Sequence, residues 1–260
     1  MVKAKKKFGQ NFLKDENIKN QIIQAIPKSP RIVEIGPGLG DLTQKLILLD
    51  IKLECYEIDK DLYEILLGKF DAYINTQKLK LRNIDALLAW NEISQSEYFL
   101  VANLPYYVAT NIILRALDDE NCSGFVVMVQ KEVAIKFCAK VREREFGSLA
   151  ILASLNGECE LLFDAGSECF EPAPKVTSSV IRLKKTKKID LNLVKFKSFL
   201  KVAFAAPRKT LLKNLSQIYN KEFLNSLFSS HNISLNIRPH ELSVALYKKI
   251  FKEVENERKQ

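Results

Sequence analysis

The stretch Arg31-Ile32-Val33-Glu34-Ile35-Gly36-Pro37-Gly38-Leu39-Gly40 decides the fold. Its first five residues, rich in β-branched side chains, predict a short strand, and glycines at 36, 38 and 40 follow at once. Glycine there permits a tight turn and lets a ligand approach the backbone where a helix begins. Such turns are common after strands, so the spacing has to discriminate. A dinucleotide-binding GxGxxG needs glycine at 41, where Asp41 stands. GxGxG with an acid just ahead of it suits S-adenosyl-L-methionine instead.

Working outward, strands and helices alternate. Residues 15–26 read as a helix stopped by Pro27, followed by the 31–35 strand and a helix over 41–49. Strands at 52–58, 78–82, 98–102 and 124–129 interleave with helices at 61–70, 108–117 and 131–140. This predicts an α/β fold, a Rossmann-like parallel sheet with helices on both faces. Past 147 a helix (147–155) gives way to strands at 158–163 and 176–183, which place an antiparallel strand at the sheet edge. The lysine-rich stretch 184–188 reads as a linker. Helices at 191–206, 209–215, 221–229 and 239–255 then form a small all-α domain, giving domains of 1–185 and 186–260.

Acids stand at the ends of the next two strands. Glu57 can accept hydrogen bonds from both ribose hydroxyls of the cofactor, while Asp59 is suited to cap the following helix. Asp85 can accept from the cofactor's adenine amine. Either acid alone reads as a solvated loop carboxylate. With the glycine turn they make three signals at the C-terminal ends of three successive strands, where α/β sheets bind ligands.

The fourth strand runs into Asn103-Leu104-Pro105-Tyr106. An adenine N6 amine is a poor nucleophile because its lone pair is delocalised into the ring. Two acceptors aimed at its N–H bonds, the Asn103 side-chain oxygen and the Leu104 carbonyl, would draw the nitrogen towards tetrahedral geometry. Pro105 fixes the turn and biases Leu104 towards extended geometry. Tyr106 offers a face to an extruded base, a stack worth about 1–3 kcal/mol. The loop Phe170-Glu171-Pro172-Ala173-Pro174-Lys175-Val176 supplies a second aromatic: Phe170 either covers the other face of the flipped adenine or belongs to the core.

Composition sets the outer bounds. Of 260 residues, 47% are hydrophobic and 27% charged, as in an ordinary globular protein. No apolar run approaches the roughly 20 residues of a membrane helix, and the lysines of 1–7 lack the apolar core of a signal peptide. Five scattered cysteines without a CxxC pair fit reduced thiols in the cytoplasm, and with only two histidines no metal site is expected. The net charge of +9 is unevenly placed: residues 182–260 carry +12, residues 8–181 carry −7 and the arm at 1–7 adds +4. Basic ends on an acidic body suit a polyanion, although lysine-rich faces can also be merely solvated.

Together these residues resemble the bacterial small-subunit rRNA adenine N6,N6-dimethyltransferases, a branch of the rRNA adenine N6-methyltransferase family. The resemblance spans nearly the whole chain. It rests on Phe8-Gly9-Gln10-Asn11-Phe12-Leu13, the glycine turn, the 103–106 tetrapeptide, the 170–176 loop, Ala206-Pro207-Arg208-Lys209 and Arg238-Pro239-His240-Glu241-Leu242-Ser243. It implies that Asn11 and Leu13 close over S-adenosyl-L-methionine, and that Gly36, Gly38, Glu57, Asp85 and Asn103 contact it. The implied substrate is two neighbouring adenines near the 3′ end of small-subunit (16S) rRNA in an assembling particle, each methylated twice. The chain is expected to act as a monomer, without metal or membrane. One departure stands out: the family commonly continues the tetrapeptide with Asn-Ile-Ser-Thr, whereas this chain has Tyr107-Val108-Ala109-Thr110, with Tyr107 in place of a small amide.

Three rivals share features. The macrolide-resistance type of large-subunit rRNA methyltransferase shares the NxPY and F-x-P-x-P features but is separated by the arm at 8–13 and the 238–243 stretch. A non-catalytic assembly factor would have no need of Asn103 and Glu57. A DNA adenine methyltransferase would carry Asp-Pro-Pro-Tyr and a recognition insertion for which the chain has no room. If the basic ends meet RNA phosphates, affinity for rRNA particles will fall steeply between 50 and 200 mM salt; an affinity independent of salt would remove the polyanion reading.

Overall fold

The computed structural model describes residues 5, 8–186 and 189–257. Most of the basic arm at 1–7 and the pair Lys187–Lys188 of the expected linker lie outside the described residues. In chain order, β1 (Phe12–Leu13) and α1 (Glu16–Gln24) precede β2 (Arg31–Ile35). Then come α2 (Thr43–Leu46), β3 (Lys52–Glu57), α3 (Lys60–Lys69), α4 (Asp71–Asn75), β4 (Leu79–Asn83) and α5 (Trp90–Ile93). Next are β5 (Tyr98–Asn103), α6 (Ala109–Asp118), β6 (Cys122–Gln130), α7 (Lys131–Cys138), α8 (Ser148–Asn156), β7 (Gly157–Ala165), β8 (Phe170–Glu171) and β9 (Ser178–Lys185). The last elements are α9 (Leu193–Ala203), α10 (Leu211–Leu215), α11 (Lys221–Ser230) and α12 (Val244–Glu257).

Seven strands form one sheet in the order β4-β3-β2-β5-β6-β9-β7. From β4 to β6 neighbouring strands are parallel; β9 runs antiparallel to β6 as the late-strand pattern predicts, but it lies one strand in from the edge, which β7 takes. The central strands are buried on both faces, which is why they read as continuous apolar runs. Strand order reverses between β2 and β5, so a crevice opens beyond their C-terminal ends. The two decisive motifs, the glycine turn after β2 and the tetrapeptide after β5, flank that point. A second sheet is only a clasp, with Phe12 opposite Glu171 and Leu13 opposite Phe170.

The chain divides into two compact units, residues 1–134 with 158–185 and residues 135–157 with 186–260. A division by chain order at 185/186 puts 135–157 with the sheet, whereas contacts group it with the later helices. The reason lies in α8: Ala150, Ile151, Leu152, Ala153 and Leu155 are buried around its circumference, and it packs against α9 and α12. Side-chain caps from Asn192, Thr210 and Asn220 start three of the later helices. Phe196, Phe199, Tyr247 and Phe251 form an aromatic core there.

Several expected boundaries shift. The helix predicted over 41–49 is one turn of α-helix and then a tighter turn over 47–49, ending at Asp50 with φ +52°. The helix predicted over 191–206 stops at Ala203. The 238–243 stretch is a turn: Glu241 accepts from the Arg238 amide at 2.6 Å, and the Tyr247 hydroxyl donates to the Pro239 carbonyl at 2.7 Å.

Gly124 is a point of close approach in the sheet. With φ +151°, it lies where a Cβ would sit 2.3 Å from the Leu183 carbonyl oxygen of β9 and 2.9 Å from the Phe99 ring. Gly124→Ala should therefore lower stability by about 3 kcal/mol, through overpacking and backbone strain. Urea unfolding with an unchanged slope and an unchanged midpoint would contradict this.

Candidate functional site

A cavity of about 290 Å³ opens at the reversal point of the sheet. It is lined by the arm at 8–13, the glycine turn, the ends of β3 and β4, and the 103–108 segment. Asn11, Leu13, Gly36, Gly38, Glu57, Asp85, Asn103, Leu104 and Tyr106 all line it, so residues far apart in sequence converge.

Gly36 and Gly38 adopt φ +68° and +62°, as the turn requires. A Cβ at Gly38 would lie 3.0 Å from the Phe12 ring, so the arm rests directly on the turn. Glu57 is 4% exposed and accepts the Gly38 amide at 3.1 Å on one oxygen and the Asp59 amide at 2.8 Å on the other. Burial pushes its carboxyl up from the ordinary value, against the pull of those two amides. Each oxygen keeps a further lone pair for a ligand hydroxyl. Asp85 uses one oxygen to accept the Leu87 amide at 2.9 Å, leaving the other for the cavity. Ile58, Ile84 and Leu87 add an aliphatic wall. Carboxylates, a glycine cradle and apolar walls at the ends of three strands fit the ribose, methionine part and adenine of S-adenosylmethionine.

The Asn103 side-chain nitrogen donates to the Asn11 carbonyl at 3.0 Å, which leaves its oxygen as the free acceptor of the amide. Leu104 is buried at 1% exposure, and its amide donates to the Met128 carbonyl at 3.1 Å, so it can act only through its backbone. The Tyr106 hydroxyl and the Ser178 hydroxyl lie 2.8 Å apart, fixing the ring; burial raises the Tyr106 phenol.

Phe170 does not join this set. It is 6% exposed, is held opposite Leu13 by the β1–β8 pairing, and belongs to a core cluster with Leu13, Ile18 and Val180. Of the two readings open in the sequence, the geometry places it in the core, and no second face for the adenine comes from it.

Other residues were hidden from the sequence. Lys5 and Gln10 hold the arm to Asp59 at 2.6 and 2.9 Å, while Asp59 also caps α3. Burial would raise the Asp59 carboxyl, but these hydrogen bonds prevail and hold it below its ordinary range. Tyr107 is 62% exposed at the cavity wall beside Gly9. Long-range pairings of this kind leave no local pattern.

A family model for ribosomal RNA adenine dimethylase matches residues 1–256. The chain belongs to this family. It is therefore an enzyme, an S-adenosylmethionine-dependent rRNA adenine dimethyltransferase. The dimethylase is 64% identical to ribosomal RNA small subunit methyltransferase A of Campylobacter fetus subsp. fetus, over 100% of this chain and 98% of the relative. It is 51% identical to the protein of the same name from Campylobacter jejuni (strain RM1221), over 99% and 97%. In fold, it resembles a dimethyladenosine transferase from Plasmodium falciparum with a TM-score of 0.79 at 22% identity, covering 94% of this chain and 98% of that one. A 23S rRNA methyltransferase, ErmE, gives a TM-score of 0.70 at 21% identity, over 94% and 100%.

Beneath the dimethylase's glycine turn, Glu34 is fully buried and accepts from the Thr43 hydroxyl at 2.7 Å and the Cys55 thiol at 3.3 Å. Burial pushes its carboxyl up to about 7, against those two hydrogen bonds. The folded protein thus holds a proton that the unfolded chain releases near the ordinary value of 4.5. The stabilisation is complete below pH 4.5 and is lost as pH rises through about 7, an effect of about 3 kcal/mol. Glu34→Gln should flatten the fall in urea stability between pH 5 and 7.5; an unchanged pH dependence would show that Glu34 does not titrate there.

Proposed function

We propose that this protein transfers methyl groups from S-adenosylmethionine to N6 of two adjacent adenines near the 3′ end of small-subunit (16S) rRNA, giving N6,N6-dimethyladenosine. The observation that carries the reading is the Asn103 amide, turned by the Asn11 carbonyl so that its oxygen is left to accept within the cavity. The names of the relatives support the choice of subunit. The large-subunit alternative is not favoured, since relatives 51% and 64% identical over nearly the whole chain are named for the small subunit.

S-adenosylmethionine, when bound, supplies an electrophilic methyl group on a sulfonium. Glu57, Asp85, the glycine turn and the arm residues Asn11 and Leu13 hold it. The Asn103 oxygen and the Leu104 carbonyl accept the two N6 hydrogens, localising the nitrogen lone pair. Tyr106, braced by Ser178, carries one face of the extruded base. The nitrogen–carbon bond would form as the methyl–sulfur bond breaks, leaving S-adenosylhomocysteine, and one N6 proton would then pass to solvent, so no strong base is required. Positioning supplies most of the rate. After the first transfer one N6 hydrogen remains; rotation about the C6–N6 bond would turn the bulkier, methylated amine so that this hydrogen meets one of the two acceptors and the lone pair again faces the methyl donor.

The substrate is rRNA within an assembling particle, bound by the protein as a monomer in the cytoplasm. Five scattered cysteines without a CxxC pair support a reducing compartment. No helix among the described residues is long and apolar enough to cross a membrane. Asn103→Ala should lower kcat on immature small-subunit particles by at least about a hundredfold while particle binding persists. A variant that methylates at the wild-type rate would overturn the assignment.

A further inference from the structure

One face of α12 has no role in the chemistry above. Tyr247, Ile250, Phe251 and Val254 bury one side of the helix. Ala245, Lys248, Lys249 and Lys252 recur at i, i+3, i+4 and i+7 on another. The lysines line a groove of about 760 Å³ whose other lining includes Ser154 and Leu155 of α8 and Ile189. Three ammonium groups within about 6 Å of helix rise repel one another, and nothing in the packing of α12 calls for them. Among the described residues, Lys248 and Lys249 pair with no carboxylate. Lys252 meets only Asp190, at 3.6 Å, and Asp190 is 99% exposed, so a stronger anion would displace it easily.

We propose that this groove is a second RNA site, which grips the phosphodiester backbone of the rRNA substrate. The inference rests on the function proposed above, which supplies a long polyanion. Lysine is a compact point charge on a flexible stem, suited to phosphate oxygens and without the planar fork that reads base edges. The aliphatic parts of Leu155 and Ile189 accommodate the sugar edge between phosphates. The site therefore orients and tightens binding without selecting sequence, leaving the choice of adenine to the catalytic cavity.

The test compares the full chain with its Lys248→Gln/Lys249→Gln/Lys252→Gln variant, binding immature small-subunit particles from 50 to 200 mM salt. The slope of log affinity against log salt should fall by about 2–3, and Kd should rise about tenfold or more. kcat at saturating particle, affinity for S-adenosylhomocysteine and thermal unfolding should stay at wild-type values. The corresponding triple Lys→Arg variant, which keeps the charge, should bind as wild type. An unchanged slope and Kd in the glutamine variant would overturn the site. Weakened binding to particles but not to naked rRNA would also overturn it, pointing to an acidic ribosomal protein. Wild-type protein that neither binds nor methylates particles would instead defeat the proposed function itself.

Discussion

The hydrogen bond from the Asn103 side-chain nitrogen to the Asn11 carbonyl ties together the parts on which the chemistry depends. It joins residues 92 positions apart and decides which end of the Asn103 amide is left to accept. The arm that provides the carbonyl is itself held at three points. Lys5 and Gln10 reach Asp59, the Phe12 ring lies over Gly38, and Leu13 pairs with Phe170. Cofactor cradle and methyl-accepting turn therefore share one support. Loosening the arm disturbs both.

The sheet explains why this support can exist. Parallel strands buried on both faces leave little freedom at their C-terminal ends, and the reversal between β2 and β5 keeps that point open. Glu57 illustrates the consequence. Its oxygens are anchored by two backbone amides, so the carboxylate is oriented before any ligand arrives. A group fixed in this way loses little entropy on binding.

Much of this was legible in the sequence because it is local. The glycine spacing after β2, the acids after β3 and β4, and the tetrapeptide after β5 each follow from strand-end geometry, and alternation of elements gave the parallel sheet. What stayed hidden was long-range. Nothing around Phe170 reveals that a two-residue pairing with Phe12–Leu13 sinks its ring into the core. Nothing around Lys5 or Gln10 points to Asp59, and α8, which ends at Asn156, groups with helices that begin only at Leu193 because its apolar surface needs cover on several sides. Tyr107 was visible as a departure, and the structure places it on the cavity wall beside the arm.

The central claim is a reaction at two specific adenines, and mass spectrometry of the RNA tests it most directly. Immature small-subunit particles would be incubated with the protein and isotopically labelled S-adenosylmethionine, and their rRNA digested into fragments and nucleosides. The account predicts N6,N6-dimethyladenosine at two neighbouring positions near the 3′ end of the small-subunit rRNA, each carrying two labelled methyl groups. Label on another base, or only in large-subunit RNA offered in parallel, would contradict it.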